Sequence, residues 1–597
     1  MKNKKLLLIL AVMSIILIVI LTFLMNPRST QNHRDFMSRA TILKEKILTD
    51  STIAALEKPP VESLGYVAFF SVSDGNTRAR EYYGKGKSLS DAWDDAVKNA
   101  VNELDDNSAV PKWLRVDLVS KAWEIDSKTL KNEIGNSSSG FDFIGLSFDN
   151  SFETSLLEGE LNGRSIYDYK NDEISLIHLN EWLEEKGKKP LDELPEHMIA
   201  FKCWSWFCDE NNAVLPLCHE GADTGRREVS AIDAEYAKDI IDTASSFLMN
   251  QVKSDGRFNY GIYPQFDEDI DNYNILRHSG TIWSLICRYR MFPEEQLKEM
   301  IARTIDYMIS QIRYDNEGIA YLHEAKDYEY KLGGNGLAIV ALTEYMNVFQ
   351  NENYRDICIS LGEGILKQQN SETGSYWHIL NNDFSRGEDF RTIYYDGECT
   401  FALVRLFGLT KDQKWLDAAC KAIDMFIRED YTQYRDHWVA YSLNEVTKYI
   451  NRKEYYDFAL ANAVNNYERI MGRERTYPTN LELLVSCFET WQRMVEKGFD
   501  IGDFDVQDLL NVISARANRQ LSGYFYPELA MYMSNPQRIL GSFMMRNDKF
   551  RVRIDDVQHN IGGFYLYWKN YEAMLAAGLD STLTDSTRTE EENGDNS

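Results

Sequence analysis

From Val229 onwards, the apolar positions fall into two alternating helical patterns. One keeps a polar, charged face: about Ala231–Gln251, Glu294–Ile312, Tyr354–Gln369, Lys411–Arg428, Lys453–Met471 and Val506–Gln520. The other is apolar nearly all round and follows a Gly- or His-rich start: RHSGTIWSLI, GGNGLAIVAL, YDGECTFALV, RDHWVAYSLN, PTNLELLVSC and DDVQHNIGGFYLY. A helix that is apolar on every side is buried on every side, so the second kind is expected inside and the first outside. His278, Asn335, Asp396, His437, Asn480 and His559 mark the inner starts, at separations of 41 to 79 residues. The pattern is an internal repeat of six outer and six inner helices.

The connections are unequal. Inner-to-outer links such as Leu409–Thr410 and Asn451–Arg452 are short, whereas Val252–Leu276, Arg313–Gly333, Asn370–Tyr394 and Leu521–Ile554 are long. Long connections in compact domains are often functional. Because the hairpins alternate in direction, these loops are expected on one face, which also receives the N-termini of all inner helices.

Upstream, the pattern differs. Tyr66–Val72 and Arg78–Tyr83 alternate as strands around an Asp74-Gly75 turn, a hairpin signal. Ser88 or Ser90 can cap a helix over Asp91–Leu104, and Trp113–Ile125, Phe141–Phe148, Ile199–Phe207 and Ala213–Cys218 suggest further strands. In this stretch Arg115 and Asp117 are expected to form a surface pair. The organisation predicted is a segment 1–31 with a signal anchor, a helical spacer 32–60, an α+β domain 61–225, the helical repeat 226–576 and a disordered tail 577–597. The anchor rests on Leu6–Met25, an uncharged run of about 20 residues, long enough to span a bilayer. Lys2, Lys4 and Lys5 precede it, which predicts a single-pass cell-membrane protein with a cytoplasmic N-terminus and an extracytoplasmic body.

Composition narrows the partners. The net charge of −28 excludes a nucleic-acid partner, which needs a basic face. Eight cysteines in 597 residues make no disulfide framework. Cys203, Cys208, Cys218 and His219 cluster, but in a spacing unlike a zinc finger, and one disulfide or none is expected. Asp267, Asp269 and Asp271 alternate like a calcium loop without its required glycine. No metal and no cofactor are therefore predicted, and neither a nucleophile elbow nor a phosphate loop is present.

Five of the nine histidines fall on the expected face: His278, His437 and His559 at inner starts, His323 and His378 in long loops. Glu324, Asp396, Glu398, Asp436, Asp555 and Asp556 bring acid there, Arg277 and Arg553 positive charge, and Tyr273, Trp377, Tyr394, Tyr395 and Trp438 aromatic surface. Such a mixture suits a glycan, whose hydroxyls pair with charged groups and whose C–H faces stack on rings. Glycoside cleavage needs two carboxyl groups across the bond. Asp396 and Glu398 are too close in sequence to serve alone, so one of them is paired with Asp555 or Asp556 across the ring. His278 and His559 would orient or protonate substrate. Arg277, Arg553, Tyr273, Glu324, Trp377, Tyr394, Tyr395, Asp436, His437 and Trp438 are the expected binding residues. For each acid alone, N-capping or an arginine salt bridge is the plainer role. Gly333-Gly334-Asn335-Gly336 is expected to serve close helix packing.

Over roughly Val229–Leu575, the six hairpins resemble the six-hairpin glycosidase-like superfamily, and in particular the helical domains of uronate-acting enzymes such as glucuronyl C5-epimerases. The resemblance implies a mainly α fold, an (α/α)6 toroid, behind the smaller α+β domain and the transmembrane helix. It implies carbohydrate chemistry, with a polysaccharide or oligosaccharide as substrate. The function expected is a membrane-anchored extracytoplasmic protein that cleaves glycosidic bonds. The alternatives are a uronate epimerase or lyase, with His or Tyr as base, and a non-catalytic glycan-binding or assembly protein that meets an envelope partner through residues 61–225.

Overall fold

The computed structural model describes residues 27–582 apart from 49–52, 54–58, 62–64, 105–109, 129, 131–143, 169–172, 389–392, 474–475 and 547. The anchor run Leu6–Met25 and residues 583–597 of the predicted tail lie outside the described residues. Among the described residues no helix is long and apolar enough to cross a membrane.

The N-terminal half of the architecture is an antiparallel sheet of seven strands: β1 (Tyr66–Ser73), β2 (Arg80–Gly86), β3 (Trp113–Asp126), β4 (Gly145–Ser147), β5 (Ser155–Leu156), β6 (His197–Cys208) and β7 (Val214–Leu217). The order is β2-β1-β3-β6-β4-β5, with β7 on β6. Two helices lie on one face, α1 (Pro27–Leu48) and α2 (Leu89–Glu103). Ser88 and Asp91 close a capping box at the start of α2, satisfying two N–H groups that helix geometry leaves unpaired. The stripe Phe36, Ala40, Leu43 and Ile47 seats α1 against Phe70 and Trp93. Two short helices, α3 (Glu158–Gly163) and α4 (Leu176–Glu185), cover the far end.

Arg115 and Asp117 are not a surface pair. Both are buried, at 1% and 0% side-chain exposure. The reason is topological: β3 is central, and its second face is roofed by Met531 and Tyr532 from the loop between the sixth outer helix (Val506–Gln520) and the sixth inner helix (Ile554–Ala576). The backbone of that loop is tied to the sheet by Ala79 N–H donating to Met531 O (2.7 Å). Cys203, Cys208, Cys287, Cys358, Cys399, Cys420 and Cys487 are free thiols.

From residue 234, twelve helices of ten residues or more follow among the described residues. The outer ones are α5 (Ala234–Asn250), α7 (Glu295–Ser310), α9 (Arg355–Gln368), α11 (Gln413–Arg428), α13 (Lys453–Val464) and α15 (Val506–Gln520). The inner ones are α6 (Ile275–Met291), α8 (Leu332–Phe349), α10 (Tyr395–Thr410), α12 (His437–Val446), α14 (Thr479–Glu496) and α16 (Ile554–Ala576). The stretch predicted as one helix over Lys453–Met471 is broken after Val464, and a separate turn Tyr467–Met471 follows. Each inner helix packs against the next, and α16 packs back onto α6. The ring is therefore closed, an (α/α)6 toroid. Its inner helices are buried nearly all round: in α8 every residue from Leu332 to Glu344 is buried. Their N-termini share one rim with two small sheets, one pairing Gly261–Tyr263 with Arg551–Arg553, the other built from 312–314, 320–324, 329–331 and 379–381.

Candidate functional site

At the rim, all of the expected acids but one are held by hydrogen bonds or arginines. Asp396 begins α10 but accepts hydrogen bonds from His378 Nε2 (2.9 Å) and the Tyr431 hydroxyl (2.9 Å). Asp555 and Asp556 begin α16 beneath Arg551 and Arg553, which a strand places on the same side. Arg553 and Arg277 hold Asp555, the latter at 2.9 Å. Burial works against the Asp555 charge, but the two guanidiniums keep its carboxyl below the usual range. Arg551 lies 3.1 Å from Asp556, whose burial beside Asp555 pushes it up to about 6. Asp436 Oδ1 accepts the Trp438 N–H (2.8 Å) as the N-cap of α12. Glu324 Oε2 accepts the Ile275 N–H (3.0 Å) at the start of α6.

Glu398 is different. It is 3% exposed, and its Oε2 has no hydrogen-bond partner among the described residues. Burial, then Asp436, holds its carboxyl well above the usual range, with Arg277 opposing. The space it occupies is left by Gly333 of α8, where a Cβ would overlap Glu398 Oε2. The glycine run therefore does more than pack helices. Gly336 does so, since a Cβ there would lie 3.0 Å from the Glu398 backbone, while Gly333 houses a carboxyl. Gly333→Ala is expected to lower unfolding free energy by about 1–3 kcal/mol, the usual range for overpacking a tight interior. Chemical denaturation of the two proteins checks this, and an unchanged midpoint would show that Glu398 has room to move.

The histidines also divide. His278 is fully buried between α6 and α7: Tyr273 Oη lies 2.7 Å from Nδ1, and Thr304 O lies 2.9 Å from Nε2. Burial lowers its pKa to about 4, so it is a neutral wedge with both ring nitrogens engaged. His323 packs on Tyr330. His437 and His559 come together, their rings 4.9 Å apart and nearly perpendicular. Between them lies Glu482 of α14, an acid inside the apolar run LELLVS that the sequence pattern did not single out. Its Oε2 is 2.8 Å from His559 Nδ1 and 3.7 Å from His437 Nε2, and its Oε1 accepts the Tyr441 hydroxyl (2.9 Å).

The environments of the two histidines pull in opposite directions. His437 is 0% exposed, and neither ring nitrogen has a hydrogen-bond partner among the described residues. Burial, then the neighbouring His559, lowers its pKa well below the ordinary value. Burial also opposes charge on His559, but Glu482, Asp555 and Asp556 outweigh it and raise the pKa. The donor atoms of His437, Glu482 and His559 lie within 4.8 Å of one another, so these three could also hold a divalent ion, two imidazoles and a carboxylate being a familiar transition-metal set.

Aromatic rings enclose this pair. Tyr394 meets His437 edge-on at 5.2 Å, and Trp438 lies 5.0 Å from the same ring. Tyr394 holds a positive φ of 87°, an uncommon conformation for a bulky residue. Tyr395 packs on His378 and Tyr273 on His278. Trp377 precedes the strand 379–381, under Arg386 and beside Tyr321 and Tyr330. Of the residues expected from the sequence, then, the ring brings His559, His437, Trp438, Tyr394, Glu398, Asp436, Asp555, Asp556, Arg277 and Arg553 to its rim. His278 and Asp396 are turned into the surrounding packing.

No family model matches the chain, and no curated protein matches it. Among solved structures it is similar to a D-mannose isomerase (11% identity, 56% of this chain and 97% of the other, TM-score 0.44). It is similar also to an unsaturated glucuronyl hydrolase specific for heparin (11%, 57% and 98%, TM-score 0.42). A third is a cellobiose 2-epimerase from Bacillus thermoamylovorans B4167 (13%, 49% and 88%, TM-score 0.39). The toroid itself is read from this chain's own closed ring of helices.

Proposed function

We propose that the rim is the active site of a carbohydrate-active enzyme that moves a proton with a histidine pair, the chemistry of an epimerase or isomerase. The observation that carries this is the pairing of His437 and His559, rings 4.9 Å apart, in opposite surroundings: His437 has no hydrogen-bond partner among the described residues, and His559 lies against Glu482. Titratable neighbours whose surroundings split their pKa values are suited to act as base and acid. His437, neutral and with free ring nitrogens, takes a proton. His559, held charged by Glu482, gives one. Arg277 and Arg553 with their aspartates offer donors and acceptors to sugar hydroxyls, and Tyr394 offers a ring face.

Incubating the protein with hexoses, uronates and disaccharides in D2O tests this reading. The expected result is carbon-bound deuterium in an uncleaved sugar. Cleavage without exchange would overturn it and favour the second reading, glycoside hydrolysis, which rests on Glu398 as a protonated acid. Dialysis against a chelator separates imidazole chemistry, which survives, from metal-assisted chemistry, which does not.

The pH dependence has a definite sign. The base must be unprotonated, so activity falls on the acid side only well below the ordinary histidine pKa of about 6.5. The acid must be protonated, so activity falls on the alkaline side above that value, where His559 loses its proton. A profile of kcat/KM rising through neutrality to an alkaline plateau would contradict these roles.

The proposal keeps the body extracytoplasmic, anchored by Leu6–Met25. Recovery of the full-length protein in the soluble fraction would sink that part.

A further inference from the structure

The rim is one end of the bore, and a cavity lies at the other. Around the C-terminal halves of the inner helices lies a cavity of about 240 Å³, lined by residues of all six. Trp283, Phe401, Tyr441 and Tyr565 supply its aromatic wall. Trp283 and Tyr441 pack on each other at 5.4 Å and on Trp438 at 5.7 and 5.4 Å. This aromatic layer separates the cavity from the histidine pair.

The mouth is charged but balanced. Arg290, Arg405, Lys448 and Lys569 face Glu344, Glu445 and Glu489. Glu344 is shared, with Arg290 at 2.6 Å on one oxygen and Arg405 on the other. Glu489 accepts from Lys569 (2.9 Å), Asn570 (2.8 Å) and Asn444 (2.5 Å). Six helix C-termini add partial negative charge at this end, which offsets the one extra cation. Neither an anion nor a cation is favoured, and donors alternate with acceptors beside ring faces. Sugar hydroxyls both donate and accept, and sugar C–H faces stack on such rings.

We propose that this lower cavity is a second binding site, specific for an uncharged sugar residue and distinct from the rim. A route to the rim exists: Tyr441 lines the cavity and donates to Glu482 Oε1, whose other oxygen meets His559. Gly562 also lines the cavity, and a Cβ there would overlap Glu482 Oε1, so the cavity wall and the rim carboxylate touch. Binding at this mouth is independent of the rim chemistry. Any effect of occupancy on turnover rests on the histidine pair being the reactive centre.

Ligand-observed NMR titration of the whole protein tests the site, with D-glucose and N-acetylglucosamine as neutral probes, D-glucuronate as anion and glucosamine as cation. Neutral sugars are expected to bind saturably and in preference to both charged ones. Arg405→Met and Lys569→Met are each expected to weaken neutral binding about 10-fold, the loss of one hydrogen bond from a charged group. Lys569 is 52% exposed, and Glu489 keeps its two asparagine partners, so this variant folds even if Arg405→Met does not. His437→Asn and His559→Asn are expected to leave this binding intact. If binding is unchanged in both cavity variants but lost in the histidine variants, the sugar sits at the rim; that outcome overturns the second site and leaves the proposed function standing. Tighter binding of glucuronate or glucosamine overturns the ligand class.

Discussion

Replacing His559 by asparagine is expected to lower turnover by about 10²–10⁴-fold, the range for losing a positioned acid or base. His437→Asn is expected to cost a similar factor, and the double variant little more than either single one. The reason is that base and acid act on one substrate in one step, and groups that act as a unit lose their effect together rather than additively. Asparagine preserves polarity and approximate size, so the loss reads on proton transfer rather than on packing. His559 touches Glu482 at 2.8 Å, so Glu482→Gln adds a discriminating arm. The amide keeps the hydrogen-bonding shape but removes the charge that raises the His559 pKa. Its expected signature is an alkaline limb of the pH profile moved to lower pH, with the plateau rate less affected. Single variants with full activity would remove the pair from the mechanism. A double variant whose loss is the product of the singles would make them independent contributors.

That pair was half visible in the sequence. His437 and His559 stand at inner helix starts and could be placed on one rim from the repeat alone. Their partnership could not, because it depends on how α12 and α16 pack on either side of α14. Glu482 was hidden for a related reason: a lone acid in an apolar helix looks like any polar interruption until the ring shows that it faces two imidazoles. The acid pair in α10 was more legible. Two residues apart on a helix is roughly 200° of rotation, so Asp396 and Glu398 had to diverge. Asp396 turns out to His378 and Tyr431, Glu398 in towards Gly333. What helical geometry alone leaves open is which of the two stays unpaired, since that is set by loop residues distant in sequence. Asp555 and Asp556 were readable as helix-start acids, yet the pairing of Asp555 with Arg277 depends on a neighbouring hairpin. The Arg115–Asp117 pair failed in the same way, since alternation along β3 says nothing about a roof delivered from residue 532.

That buried pair carries the largest expected effect on stability. Arg115 donates to Asp117 from Nε (3.0 Å) and Nη2 (2.7 Å), and to Glu158 at 2.7 Å. Asp117 also accepts Ser205 Oγ at 2.5 Å, and Arg115 lies over the Tyr532 ring at 5.2 Å. Burial opposes the guanidinium charge, but Asp117 and Glu158 hold Arg115 protonated. Removing Asp117 leaves Arg115 with one buried acid in place of two, and breaking a buried pair costs about 3–5 kcal/mol. Asp117→Leu is therefore expected to lose about that much, read as a shift of the urea unfolding midpoint. Arg115→Met with Asp117→Leu is expected to recover much of it, because a buried ion pair and a well-packed apolar pair are often close in free energy. The double variant leaves Glu158 without Arg115, so full recovery requires Glu158→Gln as well. Since Tyr532 belongs to the long loop before α16, loosening this cluster is also expected to loosen the seam between sheet and toroid. Protease cleavage within 521–553 should then accelerate in Asp117→Leu and return towards the wild-type rate in the triple variant. Unchanged cleavage alongside a lowered midpoint would confine the cluster's role to the sheet.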